Sequence, residues 1–193
     1  MGLGTLVLGL LIFLGTHIFV SFRDARGDAI ARIGVRAYRA VFALVSIIGL
    51  ALIIWGYGQY RAHEWIQVWS PPGFMRHITV GLMLFAAIFI VAAFIPSHIK
   101  TGLKHPVLAG IKTWAFAHLL SNGDLGSILL FSAFLAWGVY ARIGARHRGD
   151  LGPRGAPAGW TNDVIVVAVG IVVYLALGYA FHPVVIGVPV FGT

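Results

Sequence analysis

Two histidines, His17 and His118, lie well inside long apolar segments of the sequence. An ionisable side chain is costly inside a membrane, so a residue in that position indicates function by default. A neutral imidazole offers one nitrogen lone pair, and two imidazoles on facing helices are a familiar axial ligand pair for haem iron in a helix bundle. The other six histidines fall near the ends of apolar segments, with His63, His77 and His182 toward one surface and His98, His105 and His147 toward the other.

Basic residues place His17 and His118 at a similar depth. His17 is six positions before Arg23, and His118 is six positions after Lys112, on segments that run in opposite directions. At about 1.5 Å per helical residue, both lie roughly 9 Å from one interface, provided that Lys112 extends to that interface. If the second segment begins at His105 instead, His118 lies nearer the opposite surface and the pairing weakens.

Two glycines and several basic side chains complete the predicted cofactor site. Gly9 and Gly110 each lie eight positions before one of the two histidines. Each glycine therefore shares a helical face with its histidine and would let a flat macrocycle approach. The propionates of a haem would need counter-charges at the nearby surface, and the candidates are Arg23, Lys100, Lys104 and Lys112.

Two alternatives stay open for the histidine pair. The imidazoles can hydrogen-bond across helices without any cofactor, as polar side chains in membrane bundles often do. A zinc site would lack ligands, because no carboxylate lies at that depth and Asp124 is six residues farther along than His118. The absence of cysteine excludes disulfides, thiolate zinc sites, iron–sulfur clusters and thiol nucleophiles.

Composition predicts that the helices carrying these histidines are membrane spans. Of 193 residues, 59% are hydrophobic and 10% are charged, and the mean hydropathy is +0.90, far from the balance of soluble proteins. The net charge of +8 does not indicate nucleic-acid binding, because the basic residues border apolar stretches. The predicted partner is therefore the lipid bilayer.

The sequence predicts an all-α, polytopic helix bundle of about six membrane spans in a single domain, 1–193. A span needs about 20 mainly apolar residues. Basic residues cluster after the first, third and fifth spans, whereas Arg61 and Arg76 are the basic residues on the opposite side. Cytoplasmic loops carry the excess of lysine and arginine, which predicts both termini on the outer, periplasmic side. The six predicted spans are 3–22, 38–57, 78–95, 107–121, 125–141 and 163–181.

Two local patterns predict how the later spans begin and end. The sequence Asn-Gly-Asp at 122–124 predicts a turn between the fourth and fifth spans, with Asp124 capping the next helix. His182 and Pro183 predict the end of the sixth span, because proline rarely continues a helix.

Several stretches resemble the NnrU family of bacterial membrane proteins, and the resemblance covers nearly the whole chain. They are FLGTH (13–17), RAYRAVFALVSIIGLALIIWGYG (36–58), HPVLAGIKTWAFAHLLSNGDLGSILLFSAFLAW (105–137) and FHPVVIGV (181–188). This family is named from genes found with nitrite and nitric oxide metabolism, and it includes the related domain of plant 15-cis-zeta-carotene isomerase.

The resemblance implies a haem b protein with two histidine ligands. The first-span histidine of the plant domain matches His17, and its histidine thirteen positions after a His-Pro pair matches His118, because His105 opens that pair here. The plant domain has a cysteine three residues before the second histidine. Ala115 takes its place here, so a ligand switch to cysteine is not available.

These observations predict a multi-pass protein of the bacterial inner (cytoplasmic) membrane whose haem iron performs redox-dependent chemistry on a lipophilic small molecule. Carotenoid cis–trans isomerisation is one such reaction, and a membrane redox partner would supply or accept electrons. The alternative is a non-enzymatic haem-binding accessory subunit that senses redox state or nitric oxide in denitrification. A structural or transport protein without a cofactor is a third hypothesis, with few intramembrane charges to support it.

Overall fold

The predicted all-α fold is confirmed in a computed structural model that describes residues 1–153, 155 and 159–191. Within these ranges the regular elements are helices, and extended pairing is limited to an isolated bridge between Gln67 and Asp124. The helices are α1 (Gly2–Phe19), α2 (Arg23–His63), α3 (Met75–Ala92), α4 (His98–Leu103), α5 (Pro106–Ser121), α6 (Leu125–His147) and α7 (Thr161–Ala176), and α7 continues as a π-helical segment, Leu177–Ile186.

Five helices in the described ranges are long and apolar enough to cross a membrane. They are α1, α2, α3, α6 and the continuous helix Thr161–Ile186. The predicted span 107–121 coincides with α5, whose 16 residues are fewer than the roughly 20 that usually cross the hydrocarbon core. The prediction of a membrane protein built from spanning helices is therefore confirmed.

Helix α2 is much longer than the span 38–57 that the sequence predicts. It has 41 residues and is kinked at Gly34, whose φ of 81° and ψ of 155° are not helical. Glycine adopts positive φ without steric cost, which explains the kink at this position. The residues before the kink are largely exposed and include Arg23, Arg26 and Arg32.

The chain divides into two compact units. Unit 1 comprises Met1–Ser70 and Asn122–Trp137, and unit 2 comprises Pro71–Ser121 and Gly138–Thr193. Helix α6 thus contributes its first part to unit 1 and its remainder to unit 2. Such a division does not test whether 1–193 is a single domain, which stays a prediction.

In unit 1, glycines bring the backbones of α1 and α2 into direct contact. A Cβ atom on Gly9 would lie 2.6 Å from the backbone nitrogen of Ile53, and one on Gly49 would lie 2.8 Å from that of Phe13. Helices in a membrane associate without a hydrophobic driving force, and small residues stabilise their contact by allowing the backbones to approach closely. We expected Gly9 to leave room for a macrocycle, and this was wrong, because α2 fills the space in front of it.

Two carboxylate side chains in unit 1 cap the starts of helices. The Glu64 side chain accepts hydrogen bonds from the backbone N–H groups of Gly2 (2.7 Å) and Leu3 (3.0 Å), which caps the start of α1. The Asp124 Oδ1 atom accepts the Ser127 N–H at 2.9 Å and caps α6 in the same way. The predicted capping role of Asp124 is therefore confirmed.

In unit 2, helix α3 packs against both α5 and α7. Gly110 of α5 lies against α3, where a Cβ atom would be 2.7 Å from the Ile90 side chain and 3.2 Å from the Ala86 carbonyl oxygen. Gly170 of α7 approaches Ile88 of α3 in the same manner. The expectation that Gly110 gives a cofactor access was also wrong, because α3 occupies that space.

The last helix of unit 2 does not end at His182 and Pro183, so that prediction was wrong. It continues in π-helical form to Ile186, with Pro183 inside the segment. Gly187 then closes the helix with a left-handed conformation (φ 73°, ψ 19°), and its N–H donates to the His182 carbonyl oxygen. The wider π turn accommodates a residue that cannot donate a backbone hydrogen bond.

The glycine contact in unit 1 predicts a position-dependent effect of adding one methyl group. Gly9→Ala should lower the melting temperature by a few degrees, because overpacking costs about 1–3 kcal/mol and outweighs the roughly 1 kcal/mol by which alanine favours a helix. Gly4→Ala is the matched control in α1, because a Cβ atom there meets nothing within 4 Å. Intrinsic tryptophan fluorescence of the purified protein in detergent measures both. Equal melting temperatures for the two variants would contradict the packing role of Gly9.

Candidate functional site

The His17 side chain is fixed by a hydrogen bond to its own helix. Its Nδ1 atom lies 2.7 Å from the carbonyl oxygen of Phe13, one turn earlier. A carbonyl oxygen can only accept, so Nδ1 carries the proton and donates it. In the neutral ring the lone pair is then on Nε2, which is the nitrogen that can ligate a metal.

Aromatic rings surround this imidazole within unit 1. Phe13 is stacked on it with ring centroids 4.3 Å apart, Phe42 meets it edge-on at 5.3 Å, and Trp137 is nearly perpendicular to it at 5.7 Å. Rings on three sides restrict the rotation of the imidazole. They also make its surroundings apolar.

His118, in unit 2, has the same local arrangement. Its Nδ1 atom lies 2.9 Å from the carbonyl oxygen of Trp114, again one turn earlier. The Trp114 ring lies 5.5 Å from the imidazole. The neighbouring carbonyl of Ala117 accepts a hydrogen bond of 2.8 Å from the buried Thr79 hydroxyl. His118 is thus held in the same tautomer as His17, with Nε2 as the lone-pair nitrogen.

His182 lies near His118, although the sequence placed it at the end of the last span, toward the outer surface. The structure brings its ring to 6.2 Å from the ring of His118, centroid to centroid, with the two planes inclined by 26°. The stretch FHPVVIGV was a signal for this region, but a His-Pro pair normally indicates a helix end. The continuation of the helix past Pro183 could not be inferred from that pattern.

Two of the predicted counter-charges already have structural roles in unit 2. The Lys100 ammonium donates to the carbonyl oxygen of Ala93, just after α3, at 2.7 Å, and cations commonly stabilise the carbonyl end of a helix. Lys104 ends α4 with a φ of 64°, and its carbonyl lies against Gly152. Their predicted role as propionate partners stays a prediction.

A separate polar cluster joins the beginnings of α4 and α7. The His98 Nδ1–H donates to Asp163 at 2.8 Å, and the same carboxylate accepts the backbone N–H of Ile99 at 2.9 Å. Trp160 stacks on the His98 ring with centroids 4.2 Å apart. Because Asp163 is buried and its oxygens are engaged by three N–H groups, we interpret the cluster as a structural link.

The described part of the chain contains no group of three or more histidine, aspartate or glutamate side chains placed to hold a metal ion. A tetrahedral zinc site with three or four protein ligands therefore has no donor set among these residues. Haem iron is different, because the macrocycle fills four positions and the protein supplies only the axial ligands.

The family resemblance is confirmed by comparison with known proteins. The NnrU protein family model matches residues 5–190, which is nearly the whole chain. No curated protein and no solved structure is similar enough to match. The histidines described above and the four quoted stretches all fall within the matched residues, and the chain belongs to the NnrU protein family.

Proposed function

We propose that the protein binds haem b and that His17 and His118 each supply an imidazole to the iron. One observation carries this proposal: both histidines donate Nδ1–H to the carbonyl oxygen four residues earlier. Metal-ligating histidines typically engage their other ring nitrogen in this way, which fixes the tautomer and makes the ligating nitrogen more basic. Haem iron would supply a one-electron redox change.

The donor set supports haem better than a bare metal ion. The two imidazoles would supply the protein ligands that a haem iron needs, and the chain lacks cysteine for thiolate ligation. The support comes from the imidazoles alone. Gly9 and Gly110 are used for helix packing, and Lys100 is bonded to the Ala93 carbonyl.

Haem binding predicts a specific spectrum for the protein purified in detergent after haem-replete expression. A pyridine haemochrome assay should show haem b, and the oxidised protein should be low-spin. His17→Ala and His118→Ala should each abolish or alter the low-spin spectrum, because each removes one of the imidazoles that would bind the iron. His63→Ala, at the exposed end of α2, is the control and should match the wild type. A wild type without a Soret band would remove the haem proposal, and two unaffected variants would mean that other residues ligate the iron.

We propose that the protein lies in the bacterial inner membrane, with six crossings and both termini on the periplasmic side. The distribution of lysine and arginine supports this orientation. Helix α5 would be the sixth crossing. Its 16 residues extend about 24 Å, and a short span can be matched by local thinning of the bilayer.

The orientation can be tested cleanly because the chain has no cysteine. We expect a membrane-impermeant maleimide to label Gly73→Cys, between α2 and α3, in spheroplasts. His147→Cys, at the end of α6, should be labelled only after the membrane is permeabilised. Both positions are exposed, so a difference reports the side of the membrane. The reverse labelling pattern would contradict the proposed topology.

We further propose that the protein acts on a lipophilic molecule within the bilayer, in the manner of a carotenoid cis–trans isomerase, and that a bound haem would supply the redox chemistry. The aromatic side chains of Phe13, Phe42 and Trp137 around His17 support this, because such a site excludes water and suits an apolar substrate. A membrane redox partner would set the oxidation state of the iron.

Isomerase activity predicts a change in carotenoid composition. In a host that accumulates a cis-carotenoid, the wild type should raise the fraction of trans product several-fold, and His118→Ala should not. Chromatographic separation of the isomers measures this fraction, with membrane haem content measured in parallel. A haem-loaded wild type that leaves the isomer ratio unchanged would contradict the isomerase proposal. A Soret shift with nitric oxide in that protein would instead favour the sensing accessory role.

A further inference from the structure

Helices α1 and α2 of unit 1 pack side by side in antiparallel register. Gly9 of α1 approaches the backbone of Ile53, and farther back along α1 Gly2 approaches the backbone of Tyr60. The two contacts are seven residues apart on both helices. Each step forward along α1 therefore matches one step back along α2.

This register relates the two ends of the connection between the helices. Extended past the end of α1, it places Arg23 about level with Arg39. From residue 2 to 22 and from 40 to 60 the sequence has no lysine, arginine, aspartate or glutamate, as expected of stretches that cross a membrane. Arg23 and Arg39 each mark the end of such a stretch. The connection 23–39 therefore leaves one membrane surface and returns to the same surface.

The bend at Gly34 divides this connection into two parts. Gly34 interrupts α2 five residues before Arg39, and five helical residues rise about 7.5 Å, so Gly34 lies roughly that far outside the level of Arg39. The helical part before the bend, 23–33, extends about 15 Å from its first residue to its last. If it stood upright from Arg23, it would overshoot Gly34 by half its length. It therefore lies at a low angle to the membrane surface.

A contact across the bend agrees with this low angle. In a straight helix the Cα atoms of Arg26 and Tyr38 would be about 18 Å apart along the axis. The Arg26 guanidinium instead lies 5.8 Å from the centre of the Tyr38 ring, a distance at which a cation is attracted to the face of an aromatic ring. The part before the bend thus folds back to the level at which the apolar part of α2 begins.

The residues before the bend, 22–33, are here called the surface segment, and they carry an apolar stripe. Its members recur at helical spacings of three and four, which places them on one face. Phe22 and Ile33, at the two ends of the stripe, are 57% and 50% exposed. Large apolar side chains on one face of a helix need a cover other than water. The stripe consists of Phe22, Ala25, Ala29 and Ile33, and the opposite face consists of Asp24, Gly27, Asp28 and Ala31.

Two exposed arginines flank the stripe. At about 100° per residue, Arg23 lies on one side of it and Arg32 on the other. A guanidinium binds phosphate oxygens through two parallel hydrogen bonds. The connection 23–39 as a whole has five arginines and two aspartates, so its net charge is complementary to an anionic surface.

We propose that the surface segment is an in-plane amphipathic helix that binds anionic phospholipid. The stripe enters the boundary between headgroups and acyl chains, and Arg23 and Arg32 bind headgroup phosphates. An apolar face with basic residues beside it is the pattern of helices that lie in a membrane interface. The low angle and the position at the end of two spans place the stripe at that depth. The inference needs the two spans but neither haem nor the proposed orientation.

The absence of cysteine allows one reporter at a time to test this in the full chain. Ala25→Cys in the stripe and Ala31→Cys on the opposite face are a matched pair, because both alanines are exposed in the structure. Each variant is labelled with nitrobenzoxadiazole and placed in nanodiscs of mixed phosphatidylcholine and phosphatidylglycerol. We expect the label at 25 to emit at shorter wavelength and to be quenched several-fold more by lipids that carry a shallow spin label. The label at 31 should be quenched by acrylamide in the water.

Charge variants test the part played by the headgroups. Arg23→Gln combined with Arg32→Gln should reduce lipid quenching of the label at 25 several-fold, and nanodiscs of phosphatidylcholine alone should do the same to the otherwise unchanged chain. Asp24→Asn combined with Asp28→Asn makes the segment more positive and should not reduce the quenching. Size-exclusion chromatography and far-ultraviolet circular dichroism establish that each variant is folded.

Three results would overturn the inference. Equal quenching of the labels at 25 and 31 would mean that the segment projects from the membrane. Equal quenching of the label at 25 with and without phosphatidylglycerol would mean that anionic lipid is not what the segment binds. Shielding of the label at 25 from both quenchers would indicate a covering protein surface. Haem binding is measured separately by the Soret band, so its failure would leave these results unchanged.

Discussion

The structure depends on one constraint, which is that a buried polar hydrogen must find an acceptor inside the chain. Water is absent from the hydrocarbon core, so each intramembrane N–H needs a protein partner. His17 and His118 both meet this need with the carbonyl oxygen four residues earlier. The hydrogen bond that satisfies the Nδ1–H group also fixes the tautomer of the ring, and it leaves the lone pair on Nε2. The need to satisfy a polar hydrogen within the chain thus fixes the tautomer of each imidazole.

The position of His17 depends in turn on how closely α1 approaches α2. The backbone of Phe13, whose carbonyl accepts the His17 hydrogen, lies directly over Gly49, where a Cβ atom would be 2.8 Å from the Phe13 nitrogen. The same approach brings Phe42 of α2 to 5.3 Å from the imidazole. A larger residue at Gly9 or Gly49 would separate the helices and move both the hydrogen-bond acceptor and the surrounding rings.

Local and compositional features were predictable from the sequence, whereas features set by distant partners were not. Helical spans follow from hydropathy, and the cap at Asp124 follows from an Asn-Gly-Asp turn. A glycine on the same helical face as a histidine can either give a cofactor access or pack against a neighbouring helix. The sequence alone does not show which helix lies beside the glycine, so it does not distinguish the two. Gly9 and Gly110 both proved to be contact positions. The sequence likewise predicts Lys100 as a surface charge, whereas in the structure its ammonium group donates a hydrogen bond to the Ala93 carbonyl oxygen.

The position of His182 depends on the geometry of the helix that carries it. A helix that ended at His182 and Pro183 would leave this imidazole at a helix terminus, where a charged or hydrated ring costs little. The π-helical continuation instead keeps it beside His118. The contrast with His98 is informative, because His98 is 2.8 Å from a carboxylate and its position is explained by that bond. The place of His182 beside His118 follows instead from the geometry of the helix that carries it.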